Sequence, residues 1–205
     1  MSVTIVGRSS SHFTRVVRIF ALDLQVAHTF QPVFDIASLD AATYAGNPAL
    51  KVPVLVDEGG PLFGTENICR ELAHRSGKRE KVVLRGDSRE RIVQNAEELV
   101  LHAMSAAVSL IMIKAQNDPR PEPPKLAPSL EDSLAYVNRA WGTVVAALPG
   151  DRALSFVEVA LFCVLTHIPF RKVVAPGSWP ELEAFSARFG ERPSARSTGY
   201  RFDAA

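Results

Sequence analysis

Apolar residues follow two different rhythms along this chain. In the first eighty or so positions they come in short runs: Val3 to Val6, ended by Gly7; His28 to Phe34; Val54-Leu55-Val56; and Pro61-Leu62-Phe63. These runs are rich in β-branched or aromatic residues and bounded by glycine, proline or polar clusters, so they predict strands. Helical spacing fills the gaps. Phe13, Val16, Val17, Phe20 and Leu24 fall on one helix face, and Ser9-Ser10-Ser11 just before them offers N-cap chemistry. Ile36 to Tyr44 reads as a short or irregular helix ended near Gly46-Asn47, and another helix runs from Thr65 to about His74. The predicted order is β-α-β-α-β-β-α.

That order is the thioredoxin-like one, a mixed sheet with helices on both faces. The charged, glycine-flanked string SGKREKVVLRGD then reads as a linker. Beyond it the rhythm is helical throughout. Ser88 to Gln116 carries a broad stripe of Ile92, Val93, Ala96, Leu99, Val100, Ala103, Ala107 and Leu110. Asn117 to Pro128, with five prolines, is expected to be a loop, and a second long helix should run from Ser129 or Leu130 to Leu148. Ser155-Phe156-Val157-Glu158 has the form of a capping box, whose serine would be worth about 0.5–2 kcal/mol. It opens a helix, Phe156 to Ile168, apolar nearly all round and therefore expected at the centre of the helical part. Trp179 to Gly190 is a further amphipathic helix. With no strand signal after Leu84, the expectation is an α/β domain over residues 1–77, a linker over 78–87, and an all-helical domain over 88–205.

Composition changes this picture little. The 205 residues are 47% apolar and 22% charged, ordinary for a globular protein, and 23 basic against 22 acidic residues advertise neither a nucleic-acid nor a membrane surface. The most apolar stretch, Phe156 to Phe170, is interrupted by Glu158 and His167, which argues against a membrane span. Cys69 and Cys163 lie far apart and outside any metal-ligand spacing, so neither a disulfide framework nor a metal site is expected, and a cytoplasmic location follows.

The chemistry concentrates in NPALKVPVLVDEGGPLFGTENI, residues 47–68. Proline at a strand start lacks a ladder donor and constrains Val52 before it. A trans Val52-Pro53 bond would be a plain strand start, whereas a cis bond would turn Val52 outward with its N–H and C=O free. A strand pair with a Gly-Gly turn, feeding a helix N-terminus, leaves unpaired main-chain groups at one sheet edge, where an extended peptide can bind. This string resembles the thiol-binding half of the cytosolic glutathione transferases, in which a cis-proline loop precedes an antiparallel strand pair and a helix. The serine box opening the apolar helix and the RPS-containing string Glu191 to Thr198 resemble the helical half of the same family, so the likeness spans nearly the whole chain.

The resemblance implies glutathione as co-substrate and no metal. A free thiol with a pKa of about 8.5 is only a few per cent thiolate at pH 7, and lowering that pKa by two units takes roughly 2.7 kcal/mol of differential stabilisation. Ser11, seven residues before Arg18 in SHFTRVVRI, matches the serine whose hydroxyl donates to the thiolate, with Ser10 and Ser9 as alternatives; a plain helix cap is the competing role. Val52, preceding Pro53, would pair its main chain with the cysteinyl backbone; Lys51 would meet the glycyl carboxylate; and Thr65 would grip the γ-glutamyl carboxylate. Relatives have an acidic residue or glutamine before that last position, where this chain has Gly64, leaving Glu66 as the candidate for the γ-glutamyl ammonium. His12 replaces a common proline, as an accessory donor or an exposed loop residue. No cysteine lies near this corner, which disfavours thiol-disulfide chemistry.

The electrophile pocket would lie between the two domains, lined by Phe13, His102 and Met112. A homodimer is also implied, through the helices that begin at Thr65 and Ser88, where Arg70, Arg75 and Glu98 would pair across subunits or be solvated. The leading expectation is thus a transferase that conjugates glutathione to a hydrophobic electrophile. The alternatives are a non-catalytic relative that binds a regulatory or assembly partner, and a glutathione-dependent isomerase of the maleylacetoacetate type. The Ser9-Ser10-Ser11 run resembles that last group, although its serine-cysteine signature is absent.

Overall fold

The computed structural model describes residues 2–115, 122–174 and 177–204. Its sheet has four strands, β1 (Val3–Gly7), β2 (His28–Pro32), β3 (Val54–Asp57) and β4 (Gly60–Phe63), in the order β2-β1-β3-β4. β1 and β2 are parallel, joined by the crossover helix α1 (His12–Asp23), while β3 runs antiparallel to both β1 and β4. The two-residue period sorts side chains between the faces. Val3, Ile5 and Leu55 enter the main core with α1 and with α2 (Thr65–Arg75), whereas Val6 and Val54 enter a smaller cluster with Val33 and Tyr44.

Tyr44 explains why the segment before β3 is not a regular helix. Only Ala41–Tyr44 makes a 3-10 turn, capped by Asp40. The buried Tyr44 ring draws its hydroxyl back to donate to the carbonyls of Ile36 and Ser38, at 2.7 and 3.1 Å, and this holds residues 36–40 as a folded loop.

The rest is helical: α3 (Arg91–Ala115), α4 (Leu126–Ala147), α5 (Phe156–Arg171), α6 (Pro180–Gly190) and α7 (Pro193–Ser197). As expected from its apolar circumference, α5 lies at the centre, packed on α1, α3 and α6. α4 starts earlier than the sequence suggests because Pro128 sits in its first turn, where a missing N–H breaks no helical bond; positions 117–121 of the predicted loop lie outside the described residues. By length and composition α3 could cross a membrane, but its face of Val93, Ala96, Val100, Ala103, Met104 and Leu110 is buried in the core.

Two further features depart from the sequence expectation. The segment after α2 is a packed joint: β5 (Val82–Val83) pairs in parallel with β6 (Leu154–Ser155), Val82 to Leu84 are buried, and Arg79 grips the Asp87 carboxylate. Two-residue strands have no period to read. At the start of α5, Ser155 is the N-cap residue but makes no side-chain cap bond, and its Oγ is buried without a partner. Glu158 does not reach back because Arg152 holds both its carboxylate oxygens at 2.8 Å.

One apolar cluster runs through both halves. At its edge Arg15 on α1 is 6% exposed, between the rings of Phe162 and Tyr200, and it donates to Thr166 Oγ1 (2.8 Å), the Ala195 carbonyl (3.0 Å) and Thr198 Oγ1 (3.4 Å). The first helix is thereby fastened to the helical half by a buried guanidinium.

Candidate active site

Strand register brings three loops to one end of the sheet. Val6 stands opposite Val54, and Val54 opposite Phe63, so the end of β1, the start of β3 and the end of β4 share one row. The chain segments that continue from this row are those of Ser11, Val52 and Thr65.

The Val52-Pro53 peptide is cis, Pro53 is buried, and neither the N–H nor the C=O of Val52 enters a hydrogen bond among the described residues. Asn47 shapes this loop from within: its Nδ2 donates to the Lys51 carbonyl at 2.8 Å, and its Oδ1 accepts from the Ala49 amide at 3.0 Å. The Lys51 side chain is exposed.

Ser11 is the N-cap of α1. Its Oγ accepts the Thr14 amide at 3.3 Å, which leaves its own O–H free to donate elsewhere. It is partly exposed, whereas Ser9 and Ser10 are buried at 2% and 5% exposure, so of the three serines Ser11 is the one open to a ligand. The amides of His12 and Phe13, the first two of α1, enter no hydrogen bond among the described residues, and the first turn holds no acidic residue. Two free N–H groups, a free hydroxyl and the positive end of a helix dipole make this corner suited to an anion. The absence of a side chain at Gly7 lets α1 sit so close to the sheet: a Cβ there would lie 2.4 Å from Thr14.

His12 is not an exposed loop residue. It is the first residue of α1, fully buried between the halves, with Nδ1 2.8 Å from Nδ1 of His167 on α5. His167 Nε2 in turn lies 3.0 Å from the Ser10 carbonyl. Burial, then His167 and Arg171, hold the His12 imidazole well below its usual pKa, with the Met104 carbonyl acting the other way. Burial foremost brings His167 down to about 4, with Arg171 and Arg15 acting the same way against the Ser10 carbonyl, so both rings are neutral at pH 7. One residue back, the Ser9 amide donates to Asp203 Oδ2 at 2.7 Å. The sequence pattern missed His167 and Asp203 as parts of this corner. His167 had left a signal, a histidine in a helix otherwise apolar all round, where a polar side chain needs a partner; Asp203 had left none.

Thr65 is the first residue of α2, whose first three amides also enter no hydrogen bond among the described residues. Gly64 precedes it with φ +89°, a region that side-chain-bearing residues rarely adopt. Glu66 is only half available, since Arg85 binds it at 3.2 Å and also binds Glu98 at 2.6 Å. With Arg75 on Asp57 and Glu71, these charges pair within the chain; Arg70 is exposed.

The three pocket candidates are less closely gathered. Phe13 packs on the core beside the His12 ring, at 4.6 Å between centroids. His102 and Met112 are exposed on α3 about 15 Å apart along its axis, and His102 bonds Ser129 at 2.9 Å. A surface cavity of about 520 Å³ lies at the far end of α1, lined by Leu24, Val26, Arg75 and Lys78 among others. Cys69 and Cys163 are fully buried, and burial pushes the Cys163 thiol up to about 12 and Cys69 well above its usual value, so neither is a nucleophile at neutral pH. Among the described residues there is no cluster of metal ligands.

Residues 6–80 match the glutathione S-transferase N-terminal domain family. Among solved structures, the chain is similar to a glutathione S-transferase from Methylobacillus flagellatus KT with glutathione bound, at 21% identity and a TM-score of 0.78 over 97% of this chain and 100% of that one. A glutathione transferase family member from Pseudomonas fluorescens Pf-5 with bound glutathione aligns at 19% identity and a TM-score of 0.80, over 97% and 99%. A glutathione S-transferase from Methylobacterium radiotolerans JCM 2831, in complex with glutathione sulfonate, aligns at 19% and 0.75, over 100% and 98%. No curated protein matches by sequence. The amino-terminal region thus matches the glutathione S-transferase N-terminal domain family, and the chain as a whole has the fold of these glutathione transferases.

Proposed function

We propose that the protein is a glutathione transferase, in which residues 1–77 bind glutathione, 78–87 join the halves, and 88–205 supply the electrophile side. The observation that carries this reading is the row Val6, Val54, Phe63, which sets the unpaired main chain of Val52, the N-terminus of α2 and the free hydroxyl of Ser11 around one end of the sheet. In this reading Val52 pairs with the cysteinyl backbone as a short added strand. Thr65 and the α2 amides hold the γ-glutamyl carboxylate, and Lys51 meets the glycyl carboxylate. Ser11 donates to the thiolate beside the free amides of α1, which favours the anion, and the sulfur attacks a hydrophobic electrophile held near Phe13. The likeness to cytosolic transferases favours a cytoplasmic homodimer.

Retention on immobilised glutathione, followed by conjugation of a generic aryl halide, tests the activity. Ser11→Ala should lower kcat/KM by about 10²-fold while the glutathione Kd changes by less than about threefold. Unchanged turnover would remove Ser11 from this role. A non-catalytic binding protein is the second reading, favoured by Gly64 and by the engagement of Glu66 with Arg85, which leave the γ-glutamyl ammonium without a ready acidic partner. Binding of glutathione without conjugation across several electrophile classes would favour it.

A further inference from the structure

The hydrogen-bond pattern fixes the protons of the histidine pair. A carbonyl only accepts, so His167 Nε2 carries the hydrogen that bonds Ser10. Neutral His167 then presents a bare Nδ1, and His12 Nδ1 must carry the hydrogen between the rings. The chain of donation therefore runs from His12 to His167 to the Ser10 carbonyl, and one imidazole holds both residues that flank Ser11. Asp203 holds the next residue back through the Ser9 amide. The Asp203 side chain is 7% exposed, with Arg201 at 3.9 Å. Both holds reach across from the helical half, from α5 and from the C-terminal tail.

The arrangement is not what stability alone would select. His12 Nε2 is buried and makes no hydrogen bond of normal geometry, although the Met104 carbonyl on α3 lies beside the ring, and the side chains around the pair are aromatic or cationic: Phe13 and Arg15 on α1, Phe170 and Arg171 on α5, Tyr200 in the tail. Apolar side chains at both 12 and 167 would fill such a site with no polar ring to satisfy. What the imidazole supplies and leucine would not is direction, since donor and acceptor on opposite sides of one rigid ring hold the Ser10 carbonyl on one side of Ser11 and the His12 ring on the other.

We propose that His167, aided by Asp203, is a positioning residue that aims the Ser11 hydroxyl and the free α1 amides at the glutathione sulfur. This rests on the reading of Ser11 as the thiolate-stabilising residue. It implies that the helical half, besides lining the electrophile side, governs the acidity of the bound thiol without touching it.

The test is a titration of the thiol of bound glutathione by thiolate ultraviolet absorbance, with the glutathione Kd measured alongside. His167→Leu should raise the thiol pKa by about one unit, a tenfold loss of thiolate at pH below it, with Kd changed by less than about threefold. His167→Gln, whose amide still donates toward Ser10, should recover most of that shift, whereas His167→Asn, too short to reach Ser10, should not. Hydrogen exchange in the peptide covering residues 9–14 should quicken about tenfold in His167→Leu and in Asp203→Ala. Should His167→Leu fail to fold, Asp203→Ala decides, with a rise of about half a unit expected. A wild-type thiol pKa in these variants, with Ser11→Ala still raising it, would overturn the positioning role and leave the serine's role intact. If Ser11→Ala itself leaves the thiol pKa unmoved, the serine reading fails and this one with it.

Discussion

Acidification should weaken the fold through His167 by an amount that can be worked out. Its pKa falls from 6.5 to about 4 in the folded protein, chiefly because burial penalises the imidazolium. The unfolded chain takes up this proton as pH drops through 6.5, and the folded chain does not until about pH 4. The group's contribution is therefore whole above 6.5, shrinks as pH falls across that window, and is constant below it. A difference of 2.5 pH units at 1.36 kcal/mol each is about 3 kcal/mol. His12 acts in the same direction, while Glu97, whose carboxyl burial raises, acts oppositely in the acid part of the window. The clean measurement is a difference: urea unfolding of wild type and His167→Gln from pH 7 to pH 4. Wild type should lose about 3 kcal/mol relative to the variant, nearly all of it between pH 6.5 and 4. Curves that stay parallel within about 1 kcal/mol would refute the claim that His167 is neutral and buried.

Other consequences are quickly measured. Arg15→Ala removes a buried guanidinium shared by three oxygens and two rings and should cost about 3 kcal/mol by urea unfolding; a loss below about 1 kcal/mol would mean the strut is dispensable. Ser155→Ala should change stability by less than about 0.5 kcal/mol, since no cap bond is lost, whereas Arg152→Ala should cost about 1–2 kcal/mol by releasing Glu158; thermal unfolding of the two variants gives the comparison. Gly64→Ala should cost about 1–3 kcal/mol for its backbone conformation alone, φ 89° and ψ 129°, because its Cβ would meet only the Asn67 side chain, at 3.5 Å and beyond. Gly64→Glu should cost the same yet tighten glutathione binding about fivefold by offering the γ-glutamyl ammonium a carboxylate, read by calorimetry; unchanged or weaker binding counts against that role.

Most of the sheet and every long helix were legible because each shows its period over several turns or a clean run of β-branched residues. That Ser11, Val52-Pro53 and Thr65 sit near one end of the sheet was legible too, since all lie next to predicted strand or helix ends; what they bind belongs to the proposal. What escaped depends on partners remote in sequence. The capping box failed because Arg152 competes for Glu158, and nothing in S-F-V-E announces a guanidinium. β5 and β6 are too short for any pattern. His12 seemed a loop residue because its environment is made by α5, 155 positions away, and the Ser9–Asp203 contact spans 194. Local chemistry wrote the elements, and long-range polar contacts wrote the details of the corner.

Those long-range contacts also bear on how the corner stays fixed. α1 lies between the sheet and α5, so the free amides at its N-terminus sit where the two halves meet. Donors held rigidly act on a developing charge more strongly than mobile ones, because little must reorganise when the charge appears. Here the rigidity is distributed: Thr14 against Gly7 sets the helix on the sheet, Arg15 ties it to α5 and α7, and His167 with Asp203 fixes the approach to Ser11. Loosening any one of these should leave the apolar core largely in place while blurring the direction of the donors. The helical half is accordingly as much a part of the proposed anion-binding corner as the loop that carries Val52.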